Sequence, residues 1–203
     1  MTTGSTMGFF LAMTLLAASP GPGVFAAVSR SLSTGFRSSI FMILGIVLGD
    51  LIFLVFAIFG LSTIALLLGR LFFLLKIAGG LYLIWLGWYT WNRKPEKGEP
   101  AADGGIRSEW NSFLGGLLVT LGNPKVILFY MGFLPTFFDL ETLTLVDGVV
   151  VVAIVCFVLM FVLGWYCFSA SRTRRLLSGH KAMTRIQRGA GAVMIVAGVA
   201  VIF

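Results

Sequence analysis

Charge is scarce in this chain of 203 residues, with 15 Lys and Arg, 8 Asp and Glu and a single His against 58% apolar residues. A mean hydropathy of +0.99 excludes a soluble domain of this size and predicts an integral membrane protein. Cysteine is nearly missing too. Cys156 and Cys167 fall on one apolar run, about 16 Å apart at the helical rise, too far to form a disulfide with each other. With only the loop residue His180 to add, they make no metal-ligand set and read as small buried apolar residues. Acids are absent from every apolar run except for Asp50. One carboxylate is too few for a cation site, and no nucleophile stands with a base at one depth as an intramembrane enzyme requires.

What the chain does have is length of apolar sequence. Six runs reach the roughly 20 residues needed to cross about 30 Å of hydrocarbon: Met7–Ser29, Ile40–Leu68, Leu71–Trp91, Phe113–Phe138, Val149–Ala170 and Met183–Phe203. The first is not a signal peptide in pattern, since no Lys or Arg precedes it and its first positive charge, Arg30, follows it. The expectation is an all-α membrane protein with one transmembrane domain over 1–203 and no soluble catalytic module.

The basic residues lie on one side. Arg30 and Arg37, then Arg93, Lys94, Lys97 and Arg107, then Arg172, Arg174, Arg175, Lys181, Arg185 and Arg188 occupy alternate loops, while the opposite loops carry Arg70 with Asp139, Glu141 and Asp147. The positive-inside rule then places both termini outside the membrane. Trp85, Trp88, Tyr89, Trp91, Trp110, Trp165 and Tyr166 fall at the proposed inner interface as an aromatic belt. The basic cluster of 172–188 lacks interleaved stacking aromatics, so it suits anionic lipid rather than nucleic acid. A connector over about 93–111, rich in Pro, Gly and charge, divides the chain into halves of about 7–92 and 112–203.

Each half holds three runs, an odd number, so the halves must cross in opposite directions as a 3+3 inverted repeat. Each half also opens on a broken helix, at Ser19-Pro20-Gly21-Pro22-Gly23 and at Gly122-Asn123-Pro124-Lys125. Lys76-Ile77-Ala78-Gly79-Gly80 matches Arg188-Gly189-Ala190-Gly191-Ala192 near the end of each half. Broken backbone at membrane depth is tolerated only against protein or a polar cavity, and paired breaks point to a transport site. Counting residues at the helical rise puts Asp50 and Lys125 about 15 and 18 Å from the inner face, level with both breaks. Two intramembrane charges cost several kcal/mol unless paired or used.

The half-helices that begin after each break expose N–H groups and the positive end of a dipole, which suit a carboxylate. The candidate substrate-binding residues are therefore Pro20, Gly21, Pro22, Asn123, Pro124 and Lys125, with Asp50 as proton-coupling residue. A zwitterion fits, its carboxylate at the breaks and its ammonium toward Asp50, polar backbone or water. Gly45, Gly49, Gly79, Gly80, Gly115 and Gly116 permit close helix packing, within one chain or between copies.

These elements, in this order, resemble the LysE/RhtB amino-acid exporters. The matching residues are Ser19-Pro20-Gly21-Pro22, Gly35, Gly45 with Gly49-Asp50, the Lys76 to Gly87 segment, Phe113 with Gly116, Asn123-Pro124-Lys125 and Phe133-Leu134-Pro135-Thr136-Phe137. The resemblance runs through nearly the whole chain. It implies six helices, no cofactor, and export of amino acids from the bacterial cytoplasm across the inner membrane, driven by protons. Asn123-Pro124-Lys125 and the apolar stretch after it look more like the homoserine/threonine-type branch than the lysine/arginine type, which implies a neutral substrate. The family's final Pro-Gln-Phe-like element stands here as Pro135-Thr136-Phe137, so no role passes to a Gln. The competing expectation is a passive channel or a cation-resistance transporter of related fold.

Overall fold

The computed structural model describes residues 1–58, 65–92, 106–139, 142–176 and 180–202, and every regular element among them is helical. Helix α1 (Thr3–Ala18) starts where the Thr2 side chain accepts from the Ser5 N–H, and it stops at Ser19, which is extended at φ −74° and ψ 129°. Pro20 causes the stop, because its ring disfavours helical geometry in the residue before it. Gly21 is also extended, and α2 (Pro22–Thr34) begins on Pro22 at its first position. There a proline loses nothing, since its missing N–H would have had no intrahelical partner. Gly35, at φ 98°, turns the chain directly into α3 (Phe36–Ile58); its left-handed φ is where glycine avoids a Cβ clash.

Helix α4 (Ala65–Asn92) follows, then α5 (Ile106–Leu121), a break at Gly122-Asn123, and the short α6 (Pro124–Leu128). A π-helical turn (Phe129–Phe133) leads into α7 (Leu134–Phe137), with the Leu134 N–H donating to the Phe129 carbonyl. Pro135 supplies the reason. It cannot donate to the preceding turn and its ring crowds that turn's carbonyl, so the helix widens ahead of it. Helix α8 (Leu145–Leu176) opens on a reciprocal cap between Thr144 and Asp147, and α9 (His180–Ile202) completes the order.

Two of these helices, α3 and residues 145–173 of α8, are long and apolar enough to cross a membrane, and the two bent pairs raise the number to four among the described residues. The second expected run, Ile40–Leu68, is corrected: α3 ends at Ile58, and 65–68 belong to α4. The run is interrupted by Gly60-Leu61-Ser62-Thr63, a glycine of the kind that follows a helix and hydroxyl residues of the kind that precede one, so the boundary is marked in the sequence. Most of the connector, 93–105, lies outside the described residues, as do the side chains of Lys76, Arg107, Arg174, Arg175, His180 and Lys181.

Glycine sets the two closest helix contacts. A Cβ at Gly80 would meet the Gly198 carbonyl and one at Gly198 the Gly80 carbonyl, and Gly87 and Gly191 oppose each other in the same way. Helices α4 and α9 are therefore antiparallel and nearly backbone to backbone. Helices α3 and α5 run parallel, with Gly45 against the Phe113 carbonyl, Gly49 against Thr120 and Gly116 against the Met42 carbonyl. An alanine at Gly45 would drive a methyl into backbone and force the pair apart. Beside the N-terminal half of α1, Phe9 packs on Phe129, Phe137 and Phe138 with ring centroids 5.3 to 6.1 Å apart.

Candidate functional site

The two broken pairs, α1 with α2 and α5 with α6–α7, each bend by 55°. They meet at a cavity of about 40 Å³ whose lining includes Leu16, Gly21, Gly23 and Val24 from the first pair and Thr120, Asn123, Lys125 and Val126 from the second. Ile46 and Asp50 of α3 and Leu159 and Leu163 of α8 close it. The volume holds a few waters at most, and no amino acid. Of the seven expected site residues, the cavity unites Gly21, Asp50, Asn123 and Lys125, while Pro20, Pro22 and Pro124 shape the chain around it.

Asp50 is 2% exposed, and its Oδ1 is buried with no hydrogen-bond partner. Tyr130, fully buried in the π turn, sets its hydroxyl toward Asp50 and 4.0 Å from the Met13 sulfur. A polar atom without a partner in such surroundings is costly. Asp50 and Lys125 form no ion pair; the ion pairs among the described residues are those of the N-terminus with Asp147 and of Arg37 with Glu109.

Lys125 is turned elsewhere. Its Nζ donates to the Leu16 carbonyl at 2.7 Å, the Ser19 carbonyl at 2.8 Å and the Ser19 hydroxyl at 2.5 Å. An ammonium has three donors, and all three are spent on the broken end of α1. That end has carbonyls with no following helical turn to satisfy them, and Tyr166 of α8 caps another by donating to the Ala18 carbonyl at 2.9 Å. The hydroxyl of Tyr166, grouped with the aromatic belt from the sequence, reaches into the break. Nothing local in the sequence signals a contact between residues 148 apart.

The half-helix starts are corrected as well. Both were expected to present free N–H groups, but Asn123 caps α6, its side chain accepting from the Lys125 N–H at 3.1 Å. Gly21 caps α2 with no side-chain bond. Gly23 and Val24 in the first turn of α2 line the cavity, and no side chain of the cap residue serves the N–H groups of that turn. Tyr130 stands out from the other aromatics only because the π turn aims it inward.

Paired broken helices around a cavity with one buried carboxyl group and one lysine define a helical membrane transport protein. The comparisons place it more closely: the family model for LysE type translocators matches residues 14–203, and the chain belongs to that family of membrane transporters. It is 39% identical to an uncharacterized membrane protein of Synechocystis sp. over 95% of this chain and 93% of that one. It is 29% identical to the homoserine/homoserine lactone efflux protein of Salmonella typhimurium over 94% and 92% of the two chains. Identity to the threonine efflux protein of Escherichia coli is 32%, over 55% of this chain and 56% of the relative. No solved structure matches.

Proposed function

We propose that this protein is a secondary exporter of small neutral amino acids or close analogues, driven by the proton-motive force of the inner membrane. The observation that carries this is one cavity holding the bare start of α2, the Lys125 ammonium and the Asp50 carboxyl group, whose Oδ1 has no hydrogen-bond partner. A zwitterion has the complementary charges at the complementary ends. Its carboxylate takes the Gly23 and Val24 N–H groups together with Lys125, and its ammonium takes Asp50. Leu16, Val24, Ile46 and Leu159 leave apolar surface for a short uncharged side chain, and the cavity offers no further acid for a basic one. The efflux proteins named for homoserine and threonine favour the same class.

Binding needs a wider cavity. A substrate carboxylate that draws Lys125 from the Leu16 and Ser19 carbonyls loosens the tie between the two breaks and enlarges the space. Asp50 carries the coupling proton, since a carboxylate's hold on a proton depends on burial and on the cation near it. Pro20 and Pro22 keep α1 and α2 apart, Pro124 sets the start of α6, Gly21 keeps the approach to Lys125 narrow but open, and Asn123 holds α6.

The wider architecture is six membrane helices in a 3+3 inverted repeat. Glycine stands on both sides of each close α4–α9 contact, Gly80 with Gly198 and Gly87 with Gly191, and a two-fold axis in the membrane plane would relate Gly80 to Gly191 and Gly87 to Gly198 in a register of 111 residues. That register is one residue from the sequence match of Gly79 with Gly191. Both termini face outward by loop charge. Thiol labelling in intact cells should reach a cysteine placed at Thr3 and not one at Ser178, and the reverse pattern would invert the assignment.

Efflux from preloaded proteoliposomes across a panel of amino acids, with and without a pH gradient, tests the function. Neutral amino acids should leave faster with the gradient. Asp50→Asn should lose gradient-driven accumulation while still exchanging substrate across the membrane. A gradient-insensitive leak of every compound would show a channel instead, and wild-type accumulation by Asp50→Asn would remove Asp50 from coupling.

A further inference from the structure

We propose that Tyr166 is a positioning residue of the transport cycle, the tether that keeps the broken end of α1 in register when Lys125 releases it. This rests on the reading of the cavity as the substrate site. The end of α1 is held from outside its own half at two points only among the hydrogen bonds described: Lys125 on the Leu16 and Ser19 carbonyls and Tyr166 on the Ala18 carbonyl. Within the half, the Ser19 N–H still donates to Leu15 at 2.9 Å and the Ser19 hydroxyl to Leu16 at 3.0 Å.

The two outside ties differ in chemistry. The Lys125 ammonium is a charge that an anionic substrate competes for, and its flexible stem lets it swing between carbonyl and carboxylate. The Tyr166 phenol is neutral, carried on a rigid ring, and half-buried on α8. With one donor and no charge, it draws an incoming carboxylate less than the ammonium does. It also lies on the face of α8 that bears Leu159 and Leu163, both lining the cavity, since residues three and four apart share a helix face. When the substrate takes Lys125, the Ala18 carbonyl keeps its donor, and the α1 end stays close enough for Lys125 to return after release. Without the phenol hydroxyl, the resting position of the α1 end is set by Lys125 alone. The ammonium is then less exactly placed for the incoming carboxylate.

The test compares wild type with Tyr166→Phe, which removes one oxygen and keeps the ring, and uses Tyr89→Phe on the exposed face of α4 as control. In nanodiscs, hydrogen–deuterium exchange of peptides covering 15–24 reads the α1 end directly, with no reference to substrate. Exchange there should quicken about tenfold in Tyr166→Phe, the scale expected on losing one hydrogen bond to a backbone carbonyl, while peptides from α4 and α9 stay unchanged. In proteoliposomes the KM for efflux should rise several-fold with the maximal rate within about twofold. Local exchange that does not change overturns the tether, and so does faster exchange spread evenly over all helices, which would mean general loosening. If no amino acid is transported by wild type while local exchange quickens in Tyr166→Phe, the tether stands and the substrate reading alone falls.

Discussion

The two breaks bend their helices by the same 55°, yet they are stabilised in opposite ways. The break between α5 and α6 satisfies itself: the Gly122 N–H donates to Leu118 and the Asn123 N–H to Thr120, and Asn123 then caps the helix that follows. The break between α1 and α2 relies on distant sequence. Its incoming helix ends on carbonyls served by Lys125 and Tyr166, more than 100 residues away, and its outgoing helix starts on Gly21 without any side-chain cap. A break that satisfies its own backbone is a fixed bend. One that borrows donors from elsewhere can give them up, and one with an uncapped start can accept an anion. In the proposed transport cycle the α5–α6 break is the frame that presents Lys125, and the α1–α2 break is the part that moves and binds.

The largest effect expected from this difference is at Lys125. Lys125→Ala strips the α1–α2 break of its charged donor, leaving the part-buried Leu16 carbonyl with the Ser19 hydroxyl alone and the Ser19 carbonyl without its ammonium. Efflux should fall by about two orders of magnitude, and purified protein should unfold at lower temperature. Lys125→Arg keeps the charge, but a planar fork cannot converge three donors as an ammonium does, so it should restore stability better than transport. Wild-type efflux from Lys125→Ala would show that the α1–α2 break stands alone and that the contrast between the two is empty.

Much of this is legible in the sequence, and the reason is local chemistry. Proline acts on its own turn and the residue before it, so Pro20, Pro22 and Pro124 announce both breaks, and the lone intramembrane acid announces Asp50. The asymmetry has one local sign, Asn123 ahead of a proline at the first helical position, a pattern that reads as a capped start. The rest is not local. Tyr166 matters because α8 passes the end of α1, and Tyr130 because a π turn ahead of Pro135 rotates it inward. Sequence separation hides the contact of Tyr166, and an added residue within a turn shifts the register that would have located Tyr130.

The sharpest use of the comparison is the same substitution made at each break. In Pro20→Ala the restriction on Ser19 is lifted, and α1 can extend through the residues that now hold it open. Extension carries the Leu16 and Ser19 carbonyls into intrahelical bonding and away from Lys125. Efflux should fall about tenfold with insertion and expression unchanged. Pro124 sits at the first position of α6, where its missing N–H costs no hydrogen bond and its fixed φ suits the helix. Asn123 still caps after the change, and Gly122 still ends α5, so Pro124→Ala should keep efflux within about twofold and alter stability by about 0.4–1 kcal/mol, chiefly through the freedom gained by the unfolded chain. The ratio of the two effects in one proteoliposome assay is the measurement. Equal losses would mean that both prolines act only as helix breakers, and that the uncapped start of α2 has no part that the capped start of α6 lacks.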